Sequence, residues 1–455
     1  MMRWEAQRVA SAAGADLLRG TSVTTGPRRV AVDSRDVGPG VLFVGLPGER
    51  AHGGDFAAAA LAAGAWGVLT DPAHADGVAG DREFAGPDGA VVLSADDPLV
   101  ALQALATAWR RALGAAGTRV IGVTGSTGKT STKDLLAALL GSQRRVFASR
   151  ANFNTEIGLP LQLLSAPADT EVLVLEMGMR GPGQIAELAA IAEPDVGVIV
   201  SIGPVHLELL GSLEAIAAAK AELVAALAPG ATAVLPAGEP LLAPHLRADL
   251  DTVLFGADGE VRLLAQSADR VEIDHRGERI GLEVNFTPAH LRTNLLAAVA
   301  AARAVGVMPA GRVELALSPG RGQRIELPDG VTLLDDAYNA NPMSMRAALD
   351  ELAAAGAGRR RIAVLGDMLE LGPAERTFHR EVGEHANGRA DLLITVGPRA
   401  AAMAETFRGP SEHAADADAA ARRVTELLGP GDIVLVKASH GVALARVCEA
   451  LAAPA

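Results

Sequence analysis

One cysteine, Cys448, stands in the 455 residues, so no disulfide can close within the chain, and the expected compartment is reducing. Positive charge is also short: the net charge is −13, which argues against nucleic acid as the main partner, because phosphate backbones require a basic surface. Nucleotides stay open, since they need only local positive charge. No apolar run reaches the roughly 18–20 residues of a membrane span, and the best, Phe56 to Leu69, is short and broken by glycine. The first residues, MMRWEAQRVASAAGADLL, lack the continuous apolar stretch of a secretory leader, so a cytoplasmic protein is expected. Aromatic residues are scarce, at 3%, but the apolar content of 49% is ample for real cores. Cys448 reads as a small core residue on a C-terminal helix.

The length suggests about three domains, and three blocks are visible. The first, 1–112, has strand candidates at Val30–Val32, Val41–Val44, Trp66–Leu69 and Val91–Leu93, separated by turn-rich pieces such as GPG, PGERAHGGD and GPDG, and it closes with a helix around Leu99–Leu113. The second, 113–316, has continuous apolar strands at Val172–Leu175 and Val196–Val200 between helical patterns at Pro182–Ala192 and Ser212–Leu227, which argues for a parallel sheet covered on both faces. Around 231–285 short strands and turns predict a small antiparallel extension, followed by a helix over His290–Val305. The third, 317–455, predicts a second doubly wound α/β unit, with strands at Thr332–Leu334, Arg361–Leu365, Leu392–Val396 and Ile433–Val436. Its Ala-rich 411–421 stretch reads as a helix.

The most informative segment is Arg119–Thr132, RVIGVTGSTGKTST. An apolar strand ends in a small-residue loop, then Lys129 and Thr130, then a helical LLAALL. Gly125 and Gly128 let the backbone turn so that its N–H groups face a polyphosphate, and the helix dipole adds to the attraction. Lys129 would reach the β/γ-phosphates and Thr130 a Mg²⁺ ion. The chain is therefore expected to handle a nucleoside triphosphate. Val123 stands where the general pattern has glycine, so the loop has the form TGxxGKT.

Ligands of a doubly wound sheet sit beyond the C-terminal strand ends. Glu176 ends the strand VLVLEMG, where a carboxylate could hold Mg²⁺. His206 follows the strand VGVIVSIGPVHLE and could serve a metal, a substrate or neither. Lys220, in IAAAKAELVAAL, falls near the apolar face of its helix. From the residues alone it is either a snorkelling lysine or a site lysine. NFNTEIG, Asn152–Gly158, could line the same crevice.

Taken in order over essentially the whole chain, these residues resemble the Mur ligase family, the ATP-dependent amide-bond ligases of peptidoglycan precursor synthesis. The resemblance implies a three-domain α/β architecture: a UDP-binding domain, a central P-loop ATPase domain and a doubly wound C-terminal domain. It implies that Thr124, Gly125, Ser126, Thr127, Gly128, Lys129, Thr130 and Ser131 cradle ATP, and that Thr130, Glu176, His206 and an N-carboxylated Lys220 hold two Mg²⁺ ions. Asn294, in HLRTNLLAA, matches a nucleotide-site asparagine, although Leu291 stands where the family pattern H-N-x-x-N has its first asparagine. Arg324, Asp336, Tyr338 and Asn341 join the nucleotide set. Asn154, Thr155, Ser34 and Arg35 join the substrate set, the last two near the UDP end.

LLDDAYNANPMSM (333–345) and LGDMLELG (365–372) are most similar to the member that adds D-alanyl-D-alanine to UDP-N-acetylmuramoyl-tripeptide through an acyl phosphate. Asp336, Tyr338, Asn339 and Asn341 would close over the nucleotide or the dipeptide. The departures are His52-Gly53-Gly54, where the family more often has Asp-Gly-His, and Lys437-Ala-Ser-His440, where it more often has a KGSR-like run. A single-amino-acid-adding sibling and a nucleotide-binding regulator without ligase activity remain the alternatives. The expected partners are ATP, the UDP-linked acceptor and the dipeptide, with no nucleic acid, and the expected state is a monomer.

Overall fold

The computed structural model describes residues 4–20, 26–80, 89–150 and 153–453. Asn152 and most of the GPDG turn lie outside the described residues.

Three sheets form among the described residues. In the first, Asp16–Arg19, Val91–Ser94, Gly67–Thr70, Val41–Val44 and Arg29–Ala31 lie side by side, parallel except for the antiparallel edge strand Asp16–Arg19. Its inner strands are buried on both faces, as their unbroken apolar runs dictate. The helix Pro98–Ala115 runs past residue 112, the expected boundary. Trp109 on this helix meets Trp4 edge to face at 5.5 Å, and Arg110 donates to Ala192 O at 2.8 Å and pairs with Asp195. One apolar cluster joins Leu42 and Leu93 of the first sheet through Leu102 and Leu105 to Leu159, Leu163 and Leu188 of the next block. The first block is thus bolted to the second by a shared core.

The central sheet has ten strands. Arg119–Thr124 lies between Val172–Glu176 and Val196–Ile199, parallel to both, and the helices Lys129–Gly141, Gln184–Ala192, Leu213–Ala226 and Ala289–Ala304 cover it. The expected antiparallel extension is smaller than the 231–285 span. Thr232–Pro236 and Asp251–Phe255 continue the parallel sheet, with a 3-10 turn, Pro240–His245, between them in place of a full helix. Only from Val261 does an antiparallel meander follow. Arg276 and Gly277 both take positive φ at its tight turn, the geometry that matches the twist of paired strands.

The third sheet runs Gln323–Glu326, Thr332–Asp335, Ile433–Lys437, Arg361–Gly366, Leu392–Val396 and Ser411–Ala414, parallel except for its first strand. The Ala-rich stretch is corrected here: Ser411–Ala414 is an edge strand, and the helix starts only at Ala417, where Asp416 accepts from Ala419 N–H at 2.8 Å as its cap. Alanine content concealed that start. Cys448 is buried on the helix Ala445–Ala452 as expected, its thiol against Asp335.

Candidate functional site

The C-terminal ends of the central parallel strands and the facing loops of the third block enclose a cavity of about 800 Å³. The phosphate loop forms its floor. Gly125 (φ 154°) and Gly128 (φ 79°) carry the turn. A Cβ on Gly128 would lie 2.7 Å from Asn294 Oδ1 and 2.8 Å from Val200 Cγ1, so the loop is clamped between a strand end and the helix Ala289–Ala304. Ser126 exchanges hydrogen bonds with Gly203, its Oγ donating to Gly203 O and accepting from Gly203 N–H, each at 2.9 Å. Thr127 N–H donates to Ser201 Oγ at 2.9 Å. Thr124 Oγ1 donates to Met177 O at 2.9 Å, so this residue fastens the loop from behind. Lys129 Nζ donates to Gly125 O at 2.7 Å, and burial pushes its ammonium below the ordinary lysine range.

Glu176 is buried at the end of its strand and fully engaged. Its Oε2 accepts from Thr130 Oγ1 at 2.8 Å and its Oε1 from Asn154 Nδ2 at 2.8 Å, while its backbone N–H donates to Ser149 Oγ. Thr155 and Ser131 line the same wall. Lys220 is 2% exposed and lines the cavity from the helix Leu213–Ala226. Among the described residues its amine has no hydrogen bond or ion pair. Burial, then the nearby Lys129, pushes it well below the ordinary lysine range. Lys220 thus belongs to the cavity lining and does not reach the outer surface. His206 enters from a left-handed backbone conformation (φ 53°), and its Nδ1 meets the Glu370 carboxylate of the third block. Burial lowers its pKa, and Glu370 opposes this.

The roof belongs to the third block. Asp336, Tyr338, Asn339 and Asn341 all line the cavity. Asn341 also caps the helix Pro342–Ala355 in a reciprocal box with Ser344. Lys437 Nζ donates to Asp336 Oδ2 at 2.5 Å and to Asn339 O at 2.9 Å, pinning this loop to the strand Ile433–Lys437. His440 sits beside Tyr338, ring centroids 5.6 Å apart.

The structure separates Arg324 from this group. It faces outward on an edge strand and pairs with Glu326 at 2.9 Å. Its neighbour Arg321, not singled out in the sequence, takes the cavity position, with its guanidinium 3.8 Å over the Tyr338 ring. The available signal was Gly320-Arg321-Gly322, whose glycines both take positive φ and turn the arginine inward. Glu351 and His290 also line the cavity without having been marked.

Ser34 and Arg35 form a 3-10 turn at the far sheet, where Arg35 pairs with Asp33. In the same block, the candidate ligand atoms of His52, Asp71 and His74 lie within 4.8 Å of one another, the spacing of a metal site. Their geometry opposes it. The two imidazoles stack at 4.4 Å with planes 5° apart, so their in-plane lone pairs do not converge, and His52 Nδ1 already accepts from Gly54 N–H. The His74 ring fills the space above Gly54, with a Cβ there only 2.5 Å from His74 Cγ. That packing accounts for the glycine at this position.

Three family models match the chain: the Mur ligase family, catalytic domain, over residues 28–110; the Mur ligase middle domain over 123–302; and the Mur ligase, glutamate ligase domain over 320–440. A UDP-N-acetylmuramoyl-tripeptide–D-alanyl-D-alanine ligase of Bacillus subtilis (strain 168) is 36% identical, covering 93% of this chain and 92% of its own. The ligase of that name from Mycobacterium tuberculosis (strain ATCC 25618 / H37Rv) is 38% identical with the same coverage. Among solved structures, MurF from Acinetobacter baumannii aligns with a TM-score of 0.85 at 26% identity over 99% of both chains. MurF ligase from Thermotoga maritima in complex with ADP aligns with a TM-score of 0.79 at 31% identity, over 93% of this chain and 97% of that one.

Proposed function

The chain belongs to the Mur ligase family, and from that footing we propose that it joins D-alanyl-D-alanine to UDP-N-acetylmuramoyl-tripeptide at the expense of ATP. The observation that carries the reading is the single cavity that brings the phosphate loop, Glu176, His206 and Lys220 under the Asp336–Asn341 loop.

Peptide-bond formation from a carboxylate and an amine is uphill in water, so the carboxylate is first phosphorylated by ATP and the amine then displaces phosphate. The protein's part is positioning and charge neutralisation. The loop N–H groups and Lys129 hold the triphosphate, and Arg321 and Lys437 add positive charge at the roof. The residues suit Mg²⁺: Thr130 and Glu176 present hard oxygens that already touch, and Lys220 is a buried lysine whose amine has no partner among the described residues. Thr130, Glu176, His206 and Lys220 would hold it. A low amine pKa favours the neutral form that captures carbon dioxide, and a carbamate would turn Lys220 into an oxygen donor. Bound magnesium supplies charge neutralisation that lets two anions approach.

We assign the UDP end to residues 1–112, ATP to 113–316 and the amine to 317–455, with one chain as the working unit in the cytoplasm. Closure of the third block excludes water, which would otherwise hydrolyse the acyl phosphate.

The test is phosphate release from ATP with UDP-N-acetylmuramoyl-tripeptide, with and without D-alanyl-D-alanine. Release that requires both, with a pentapeptide product by mass, supports the proposal. Release with a shorter acceptor and one amino acid moves the chain to a sibling step, and no amine-dependent release from any pair overturns the ligase reading.

A further inference from the structure

We propose that Glu370, on the third block, is the positioning residue of His206 on the central block, so that the metal-site histidine takes its working tautomer only when the two blocks meet. This rests on the ligase reading given above, in which His206 is a magnesium-site residue.

The contact is side chain to side chain across the junction, Glu370 Oε2 against His206 Nδ1. A carboxylate accepts, so Nδ1 carries the proton, and the lone pair of the neutral ring is left on Nε2. Donation from the second ring nitrogen to a carboxylate is how metal-bound histidines are generally fixed. Here the carboxylate comes from a different sheet.

Both partners are held stiffly by their own blocks. On the central side, the strand Val196–Ile199 leads to Gly203, which is locked to Ser126 of the phosphate loop, and His206 then adopts φ 53°. On the other side, Glu370 follows Met368, whose N–H donates to His379 Nε2, and Leu369, whose N–H donates to Ser439 Oγ, both at 2.9 Å. Glu370 itself sits at φ 61°. Neither loop can drift far to meet the other, so the pair reports docking of the blocks.

The junction has further points of registry. Glu208 N–H donates to Glu370 O at 3.1 Å. A Cβ on Gly372 would come within 3.2 Å of Glu208 Cα, and one on Gly203 within 1.9 Å of Met343 Sδ. Backbone meets backbone on one side of His206 and side chain meets bare glycine on the other. Among the described residues no lysine or arginine pairs with the Glu370 carboxylate, and its side-chain partner is His206. Orienting that ring is therefore the interaction its charge makes.

The experiment compares Glu370→Ala and Glu370→Gln with the unsubstituted full chain. Mn²⁺ binding in the presence of ADP is followed by the loss of free Mn²⁺ electron-spin signal, which needs neither acceptor nor amine. Ligase turnover against Mg²⁺ concentration is measured in parallel. Glu370→Ala should weaken Mn²⁺ binding by about 10–100-fold and raise the Mg²⁺ requirement similarly. Glu370→Gln, whose amide oxygen still accepts from Nδ1–H, should recover most of the loss. Mn²⁺ binding unchanged in Glu370→Ala overturns the proposal, as does equal loss in both variants, which would mark a docking contact alone. A failed ligase reading would show instead as absent amine-dependent turnover in the unsubstituted chain, with the Mn²⁺ comparison still readable.

Discussion

Thr130 Oγ1 donates to Glu176 Oε2 at 2.8 Å, joining the first turn of the phosphate-loop helix to the end of the neighbouring strand. Two hard oxygens, 46 residues apart in sequence, are thereby held in contact. Glu176→Ala should lower the rate of phosphoryl transfer by about 10²–10³-fold, the usual scale for removing one group that stabilises developing charge. ADP affinity should change far less, because the loop backbone is untouched. Single-turnover phosphate release and calorimetric ADP titration separate the two effects. Turnover within a few-fold of the unsubstituted chain would remove Glu176 from the site.

Lys220 places an amine where an ammonium is costly. With its pKa depressed relative to the unfolded chain, the unfolded state binds more protons, so the stability cost is full below the folded pKa and fades as pH rises toward the ordinary lysine value. Lys220→Met should therefore raise the unfolding midpoint in carbon-dioxide-depleted, metal-free buffer at pH 7 while abolishing turnover. ¹³C-bicarbonate should give a carbamate resonance in the unsubstituted chain alone. A destabilised Lys220→Met, or the resonance persisting in it, would defeat this account.

Gly128 cannot accept a side chain for two independent reasons. Its φ is 79°, and a Cβ would press on Asn294 and Val200. Gly128→Ala should cost about 1–3 kcal/mol in strain and weaken ADP binding at least tenfold, read by urea unfolding and calorimetry. Asn294→Ala relieves the contact with Asn294 but neither the one with Val200 nor the φ, so the double variant should recover only part of the loss.

The phosphate loop, the parallel strands flanking it and the marked carboxylate were legible because each is local: an apolar run, a glycine pair, a polar residue at a strand end. Arg321 was not, because its direction is set by two flanking glycines and by a ring seventeen residues further on. The choice between Arg324 and Arg321 depends on which face of an edge turn meets the third sheet. Lys220 was legible as a residue on the apolar face, but its burial depends on neighbours from other elements. The edge strand Ser411–Ala414 was hidden for the opposite reason: an Ala-rich composition favours helix, and pairing with Leu392–Val396 overrides it.

Glu351 lines the roof with its carboxyl pushed up to about 7 by burial and by Asp336. A folded pKa above the unfolded one means that its stability contribution is present below about pH 4.5 and is lost as pH rises through 7. Glu351→Gln should therefore unfold later than the unsubstituted chain at pH 8 and at nearly the same urea concentration at pH 5. Parallel curves across that interval would show that the carboxyl titrates normally.

Lys437 and Asp336 form the most deeply placed ion pair of the roof, at 2.5 Å, with the lysine side chain 3% exposed. Burial raises the Asp336 pKa, and Lys437 is the main group opposing it. Removing the lysine strands the carboxylate, so Lys437→Met should destabilise by about 3 kcal/mol, near the low end for breaking a buried pair because Asp336 keeps some solvent. The sign with pH is fixed by the same logic. With its folded pKa raised further, Asp336 is tolerated while protonated and becomes costly as pH rises through that value, so the loss should be larger at pH 8 than at pH 5. Asp336→Asn in the Lys437→Met background should restore much of the stability, since a neutral amide replaces the stranded charge. It should not restore turnover, because Lys437 also holds Asn339 O and thereby the loop that closes the cavity. Urea midpoints at the two pH values, with turnover for all four members of the cycle, check each step. Additive losses in the double variant would mean that the pair is not coupled and that the loop is held by its backbone alone.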